Sequence, residues 1–348
     1  MRAGHPSTVD PMVPRATPPP AVAGADPIGS DRLDQAEHRL AGVIETIGPA
    51  VVALSGGVDS GLLMVAARRV LGPDRVLAAT AESASLATGE LDLCAGLARR
   101  WDVPWTAVAT AELTDDRYLR NDGQRCFWCK TALMDQLAPL AAARGATVTL
   151  GVNLDDLADH RPGQRAAAER GARFPLVEAG FTKPLIRALA QRWGIEVWDR
   201  PAMPCLSSRL PYGTPVSVAL LTRVDRAERA LRHLGFDDVR VRHYDDTARI
   251  EVPRSRLGDA VEAADELVEA VTAAGYRYVT LDLAGLRSGN LNHPERSAPG
   301  PVEPDPPPAG RTANRPSGST WTGAGGSTCP RPSTARRNRW TTVSPPSA

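Results

Sequence analysis

The chain has 348 residues, in which 41 Lys and Arg stand against 40 Asp and Glu, for a net charge of +1. That balance gives no broad basic surface, which argues against nucleic acid as a partner and favours a small-molecule substrate. A membrane-length apolar run is absent, as is a basic stretch leading into an apolar core near the N-terminus, so a cytoplasmic protein without a membrane partner is expected. Five cysteines are too few for a disulfide scaffold in a chain this long, and in a reducing cytosol they serve as free thiols, metal ligands or nucleophiles.

Residues 1–30 are rich in Pro, Ala and small polar types and cannot bury enough apolar surface to offset ordering entropy, so they are expected to be a disordered leader. Over 31–203, short apolar runs alternate with helical periodicity, the pattern of βαβ units and a parallel, Rossmann-like sheet. Strands are expected at 50–54, 76–80, 105–109 and 147–150. Between them come a buried helix over 60–71, closed by Gly72-Pro73, and helices near 89–101 and 130–144. After Pro204 the grammar changes to a helix (216–234), two strands around the Asp245-Asp246 turn, a helix (256–274) and a strand (278–283). These mark a smaller α+β domain, 204–293, within an α/β protein. Residues 294–348, with runs such as Pro306-Pro307-Pro308, are expected to be a disordered tail. Cys329, inside that tail, is given no role.

The first strand leads into Ser55-Gly56-Gly57-Val58-Asp59-Ser60 and then a helix, which aims backbone N–H groups and the positive helix end at one point. Gly56 and Gly57 permit a tight turn and a close approach to phosphate oxygens, and the Ser55 and Ser60 hydroxyls can donate to them. A carboxylate beside phosphates repels them unless it holds Mg²⁺, so Asp59 is the metal-ligand candidate; an ordinary turn with Asp59 capping the helix is the alternative. The hexapeptide resembles the PP-loop signature of the N-type ATP pyrophosphatases. No Gly-Lys-Ser/Thr follows it, so the expected chemistry is attack on the α-phosphorus of ATP, not γ-phosphoryl transfer.

Cys126-Phe127-Trp128-Cys129 places two thiols at CxxC spacing beside Arg125 and Lys130, and Cys205 lies in a loop-like stretch, 204–213. By themselves these residues fit a redox dithiol, a zinc site short of a ligand, an iron–sulfur cluster or unconnected cysteines. Cys94, in an apolar helix, reads as core packing, and His160 and His243 read as polar surface residues.

With Arg125–Lys130, Gly151-Val152-Asn153-Leu154-Asp155-Asp156-Leu157, Arg161-Pro162-Gly163, Thr182-Lys183, residues 204–213, and 278–283 with Arg287-Ser288-Gly289, the chain resembles the LarE family of sulfur transferases over about residues 35–293. The resemblance implies a pyridinium dicarboxylate mononucleotide as substrate. One carboxylate is adenylated by ATP and Mg²⁺ and converted to a thiocarboxylate on the way to a nickel-pincer nucleotide, and the second carboxylate follows. In one branch of the family a lone cysteine at the position of Cys205 gives up its own sulfur. In the other, three cysteines hold a [4Fe-4S] cluster carrying an extra sulfide. Cys126, Cys129 and Cys205 together favour the second branch, fed by a cysteine desulfurase or another sulfide source.

Asn153, Asp155 and Asp156 follow a predicted strand, where ligands collect in open parallel sheets, and are assigned to the nucleotide pocket; a local turn is the alternative. The substrate's own phosphate calls for a second anion site, with Ser208, Arg209, Arg240 and Arg242 as candidates and Glu228 nearby. Arg209 is also the expected positive charge beside Cys205. Family resemblance further implies a homo-oligomer, as a hexamer. A PP-loop tRNA thiolase and a non-catalytic nucleotide-binding or iron–sulfur scaffold are the rival readings.

Overall fold

In the computed structural model, which describes residues 28–158 and 162–287, a helix not anticipated from the sequence opens the fold. α1 (Ser30–Ile47) turns Leu33, Ala36, Leu40 and Ile44 to one side, the spacing that makes a single apolar stripe. That stripe covers the sheet core. β1 (Ala50–Ala53), α2 (Val58–Leu71), β2 (Val76–Glu82), α3 (Glu90–Arg100) and β3 (Trp105–Ala109) follow as alternating strand and helix. The short α4 (Asp116–Leu119) then precedes α5 (Arg125–Ala143) and β4 (Thr147–Leu150).

All four strands are parallel, in the order β3-β2-β1-β4, and helices cover both faces, as an α/β sheet with near-continuous apolar strands requires. The expected Rossmann-like architecture is therefore present. Chain order reverses between β1 and β4, and their pairing, Ala53 with Leu150, makes them end level. The loops that leave these two strands lie side by side at the carboxyl edge, which is where open parallel sheets bind ligands.

Three helices return the chain across the sheet: α6 (Pro162–Glu169), α7 (Pro175–Glu178) and α8 (Lys183–Arg192). The chain continues as α9 (Val218–His233), the hairpin β5 (Arg240–Tyr244) and β6 (Thr247–Glu251), α10 (Leu257–Glu262), α11 (Ala264–Ala273) and β7 (Tyr278–Leu281). β5 and β6 are antiparallel, β6 and β7 parallel. The hairpin turns at Asp245, whose φ of 51° is in the left-handed region that Asp and Asn tolerate better than other side chains. Both sheets fall in one compact unit. A small core of Tyr118, Leu206, Leu210, Val216, Leu221 and Val224, with Trp128 and Cys129 against it, packs the loop of Cys205 onto α4, α5 and α9.

Two expected helices are corrected. The one expected over 130–144 begins five residues earlier, at Arg125, because Asp122 caps the turn: its side chain accepts from the Gln124 N–H and its carbonyl from the Arg125 N–H. The CxxC segment is thus helical. The helix expected over 256–274 breaks at Ala263 (φ −92°, ψ 25°) into α10 and α11. The leader up to residue 27, the tail, His160, Arg161, Ser288, Gly289 and Cys329 lie outside the described residues.

Candidate active site

The loop after β1 is held by its own atoms. Gly56 has φ of 76°, and a Cβ there would stand 2.9 Å from Leu93, so glycine is needed on both backbone and packing grounds. Ser60, buried in the first turn of α2, donates its hydroxyl to the Gly57 carbonyl at 3.1 Å and accepts the Ser55 N–H at 3.1 Å. These bonds close the loop on itself. Ser55 is exposed and its Oγ lies 3.1 Å from that of Ser60. Gly57 and Val58 begin α2 with no side-chain cap, which leaves the first-turn amides free to meet an anion. Arg200 braces the loop from outside, donating to the Gly56 carbonyl at 3.1 Å while pairing with Glu90.

Asp59 does not cap the helix. One of its carboxylate oxygens accepts from Lys183 Nζ at 2.5 Å and the other from Asn153 Nδ2 at 3.0 Å, so it is tied to the loop that leaves β4 and to the start of α8. The local turn, the alternative reading of this stretch, is present: Asn153 Oδ1 accepts the N–H groups of Asp155 and Asp156. Asp155 receives the Lys183 N–H, and Asp156 the Asn153 N–H. Gly151 makes this closeness possible: a Cβ on it would stand 2.6 Å from the Ser60 nitrogen and 2.8 Å from the Asp59 carbonyl carbon. Lys183, which the sequence left without a role, is brought to this loop by its ion pair with Asp59. A lone Lys ahead of Pro184 at a helix start was the signal.

On the sulfur side, Cys126 and Cys205 are exposed and Cys129 is half-buried. Burial first, then negative charge on Cys205, pushes the Cys129 thiol up to about 12. Burial alone would lower the Arg125 guanidinium, but charge on Cys205 and Cys126 raises it above its usual value. These mutual influences place the three thiols and Arg125 in one electrostatic neighbourhood. Among the described residues, however, no three His, Cys, Asp or Glu side chains are placed as a metal-ligand group. The three cysteines therefore do not form a ready cluster site as they stand.

Arg125 is buried and donates to Asn121 Oδ1 at 2.6 Å and to the Ser207 carbonyl at 2.8 Å. Ser85, Tyr118 and Ser207 hydroxyls interlock at 2.6 to 3.0 Å beneath the Cys205 loop, and burial, followed by charge on Cys205, raises the Tyr118 phenol. The phenol is a fixed hydrogen-bonding post.

Arg209 is not the counter-charge expected beside Cys205. It is 1% exposed and its guanidinium is held by Glu228, at 2.7 and 3.0 Å, and by the Pro204 and Cys205 carbonyls and Ser208 Oγ. Arg125 takes that place. Glu228 is fully buried, so it is no helix-surface acid, and it also receives Arg232. Arg242 pairs with Glu251 and donates to the Ser208 carbonyl at 2.7 Å. Arg240 is buried too, yet forms no ion pair among the described residues and donates to the Arg287 carbonyl at 3.3 Å. Burial, then Arg209 and Arg242, lower its pKa. A buried guanidinium pressed by two others is a place for an anion. His243 is buried against the Tyr276 hydroxyl, correcting the surface expectation, and Cys94 is core as expected.

No family model matches the chain. It is 46% identical over 246 residues, 70% of its length and 91% of the relative's, to an uncharacterized protein of Synechocystis sp.. A pyridinium-3,5-bisthiocarboxylic acid mononucleotide synthase of Lactiplantibacillus plantarum is 39% identical over 254 residues, 73% of this chain and 92% of the relative. An uncharacterized protein of Methanocaldococcus jannaschii is 24% identical over 239 residues, 68% and 90% of the two chains.

Proposed function

The chain belongs to the LarE-type family of the pyridinium-3,5-bisthiocarboxylic acid mononucleotide synthase, and from that premise we propose that it is an ATP-dependent sulfur transferase acting on a pyridinium carboxylate mononucleotide. The observation that carries this reading is the Ser55–Ser60 loop, with Asp59 fastened to Lys183 and Asn153 at the crevice between β1 and β4. A carboxylate is a poor acyl donor because oxide would have to leave. Its oxygen attacks the α-phosphorus of ATP, the bond to pyrophosphate breaks, and the acyl-adenylate that remains has AMP as a good leaving group. The free amides of α2 and the Lys183 ammonium supply positive charge for the departing pyrophosphate. Asp59 would hold the Mg²⁺ that enters with the nucleotide, whose chemistry is neutralisation of phosphate charge.

Arg240, crowded by Arg209 and Arg242, with Ser208 alongside, is proposed as the second anion site, taking the phosphate of the pyridinium nucleotide. The sulfur comes from Cys205, which shares an electrostatic neighbourhood with the Arg125 guanidinium and acts as the nucleophile. The thiolate attacks the acyl carbon and AMP leaves. Loss of the Cys205 α-proton then breaks its Cβ–S bond, leaving thiocarboxylate and dehydroalanine. The shared electrostatic neighbourhood of Cys126, Cys129 and Cys205 supports the cluster alternative, supplied by a desulfurase or another sulfide source; their lack of a ligand arrangement counts against it. A homo-oligomeric assembly is part of the proposal.

Pyrophosphate release from ATP, measured with and without the pyridinium dicarboxylate mononucleotide, tests the reading. Substrate-dependent release is expected, and Cys205→Ala should retain it while forming no thiocarboxylate. Absence of release, or tight, salt-sensitive binding of tRNA in its place, overturns the proposal. Mass spectrometry after one turnover and the absorbance after anaerobic iron–sulfide reconstitution separate the two sulfur sources.

A further inference from the structure

Arg200 stands five residues ahead of Cys205, yet its side chain reaches the phosphate loop. Its Nη1 donates to the Gly56 carbonyl at 3.1 Å and to Glu90 Oε2 at 2.9 Å, and its Nη2 donates to Glu90 Oε1 at 2.5 Å. Glu90, 7% exposed at the start of α3, is thereby held against that loop. A forked pair of this kind fixes the direction of the guanidinium as well as its distance. The backbone of Arg200 is held too: its N–H donates to the Val197 carbonyl at 3.2 Å, and its own carbonyl accepts from Arg187 of α8 at 3.4 Å. α8 is the helix that brings Lys183 to Asp59.

From Arg200 the chain runs through 201–205 without helix or strand. Pro201 and Pro204 fix two of its φ angles, which leaves little slack before Cys205. The Leu206 N–H then donates to the Ser85 carbonyl at 2.8 Å, and the Ser85 and Ser207 hydroxyls meet at 3.0 Å. Residues 85–90 lead back to Glu90, pinned midway where the Asp225 carboxylate accepts the Thr88 N–H at 3.0 Å and the Thr88 hydroxyl at 2.7 Å. One ion pair, two short chain segments and one backbone hydrogen bond therefore close a ring, with Gly56 against one corner and Cys205 near the other. Opening the ring at the ion pair releases the sulfur loop and the phosphate loop from each other.

We propose that Arg200, paired with Glu90, is a positioning residue for sulfur transfer, setting the place of Cys205 relative to the acyl-adenylate formed at Ser55–Ser60. This role rests on the adenylation and sulfur transfer proposed above. Thiocarboxylate formed per pyrophosphate released, in a single turnover of the full chain with ATP and the pyridinium dicarboxylate mononucleotide, tests it. Arg200→Gln and Glu90→Gln should each lower that ratio about tenfold or more, as a displacement near 1 Å does. Adenylate made out of reach of Cys205 is attacked by water instead, which returns the carboxylate and AMP. Arg200→Lys, which keeps the charge and loses the fork, should give an intermediate ratio. Lost stability alone, followed by circular dichroism, lowers both products together and leaves the ratio as in wild type. Hydrogen exchange over 201–208 needs no turnover, and both Gln variants should exchange about tenfold faster there, the effect of one lost hydrogen bond to a charged group. An unchanged ratio in both Gln variants, or unchanged exchange, overturns the role of Arg200. Absence of pyrophosphate release from wild type overturns the adenylation reading instead, and the exchange rates then decide whether the ion pair holds the Cys205 loop.

Discussion

Replacing Gly151 by Ala would drive a methyl carbon to 2.6 Å from the Ser60 nitrogen, 2.8 Å from the Asp59 carbonyl carbon and 2.9 Å from Ser60 Cα. Ordinary contact begins at 3.4 Å, so β4 and the first turn of α2 must separate by the difference, 0.8 Å. Neither side is a flexible side-chain tip. The α2 turn is pinned by the Ser60 hydroxyl bonds, and β4 is paired along its whole length with β1. Overpacking of this kind costs about 1–3 kcal/mol, and a misplacement near 1 Å of groups that position a reacting phosphate lowers the rate about 10²-fold. G151A should therefore remain folded, with a lowered melting temperature, and release pyrophosphate about 10 to 100 times more slowly than wild type. Gly96→Ala is the control: nothing lies within 4 Å of its Cβ and it sits inside α3, so stability should hold or rise by up to about 1 kcal/mol. Turnover of G151A within a factor of about three of wild type would refute the claim that this glycine sets the spacing of the phosphate site.

Lys183→Met removes the cation between Asp59 and the crevice; ATP affinity should fall about tenfold or more, read by nucleotide titration, whereas a mere surface lysine would leave it unchanged. Glu228→Gln leaves Arg209 buried without its carboxylate and should cost about 3–5 kcal/mol in urea unfolding, far above a surface substitution. The Cys129 thiol, held up to about 12 by burial and by charge on Cys205, stays protonated at neutral pH. Its alkylation should accelerate about tenfold per pH unit between pH 8 and 11, and Cys205→Ala should lower the pH at which this occurs. A flat rate over that range would contradict the assignment.

The sheet was legible because local rules and tertiary placement agree there. Val76, Trp105 and Thr147 begin strands where apolar runs begin, and the Ser-Gly-Gly loop sits on the expected strand–helix junction. α1 was missed because its stripe of Leu33, Ala36, Leu40 and Ile44 is sparse, interleaved with charge and directly preceded by low-complexity sequence. The start of α5 was missed because it depends on Asp122 and on Arg125 reaching Ser207, 82 residues away.

By itself the sequence determined the Ser55–Ser60 strand–loop–helix junction, the α/β class and the family, since these rest on contiguous residues whose conformational limits are local. Only the tertiary structure decided partners. It assigned Arg209 to Glu228, gave Arg125 the place beside Cys205, tied Lys183 to Asp59, and left Arg240 without an ion pair among the described residues. Charges distant in sequence find or lose one another only when packing excludes water between them, and no spacing along the chain encodes that.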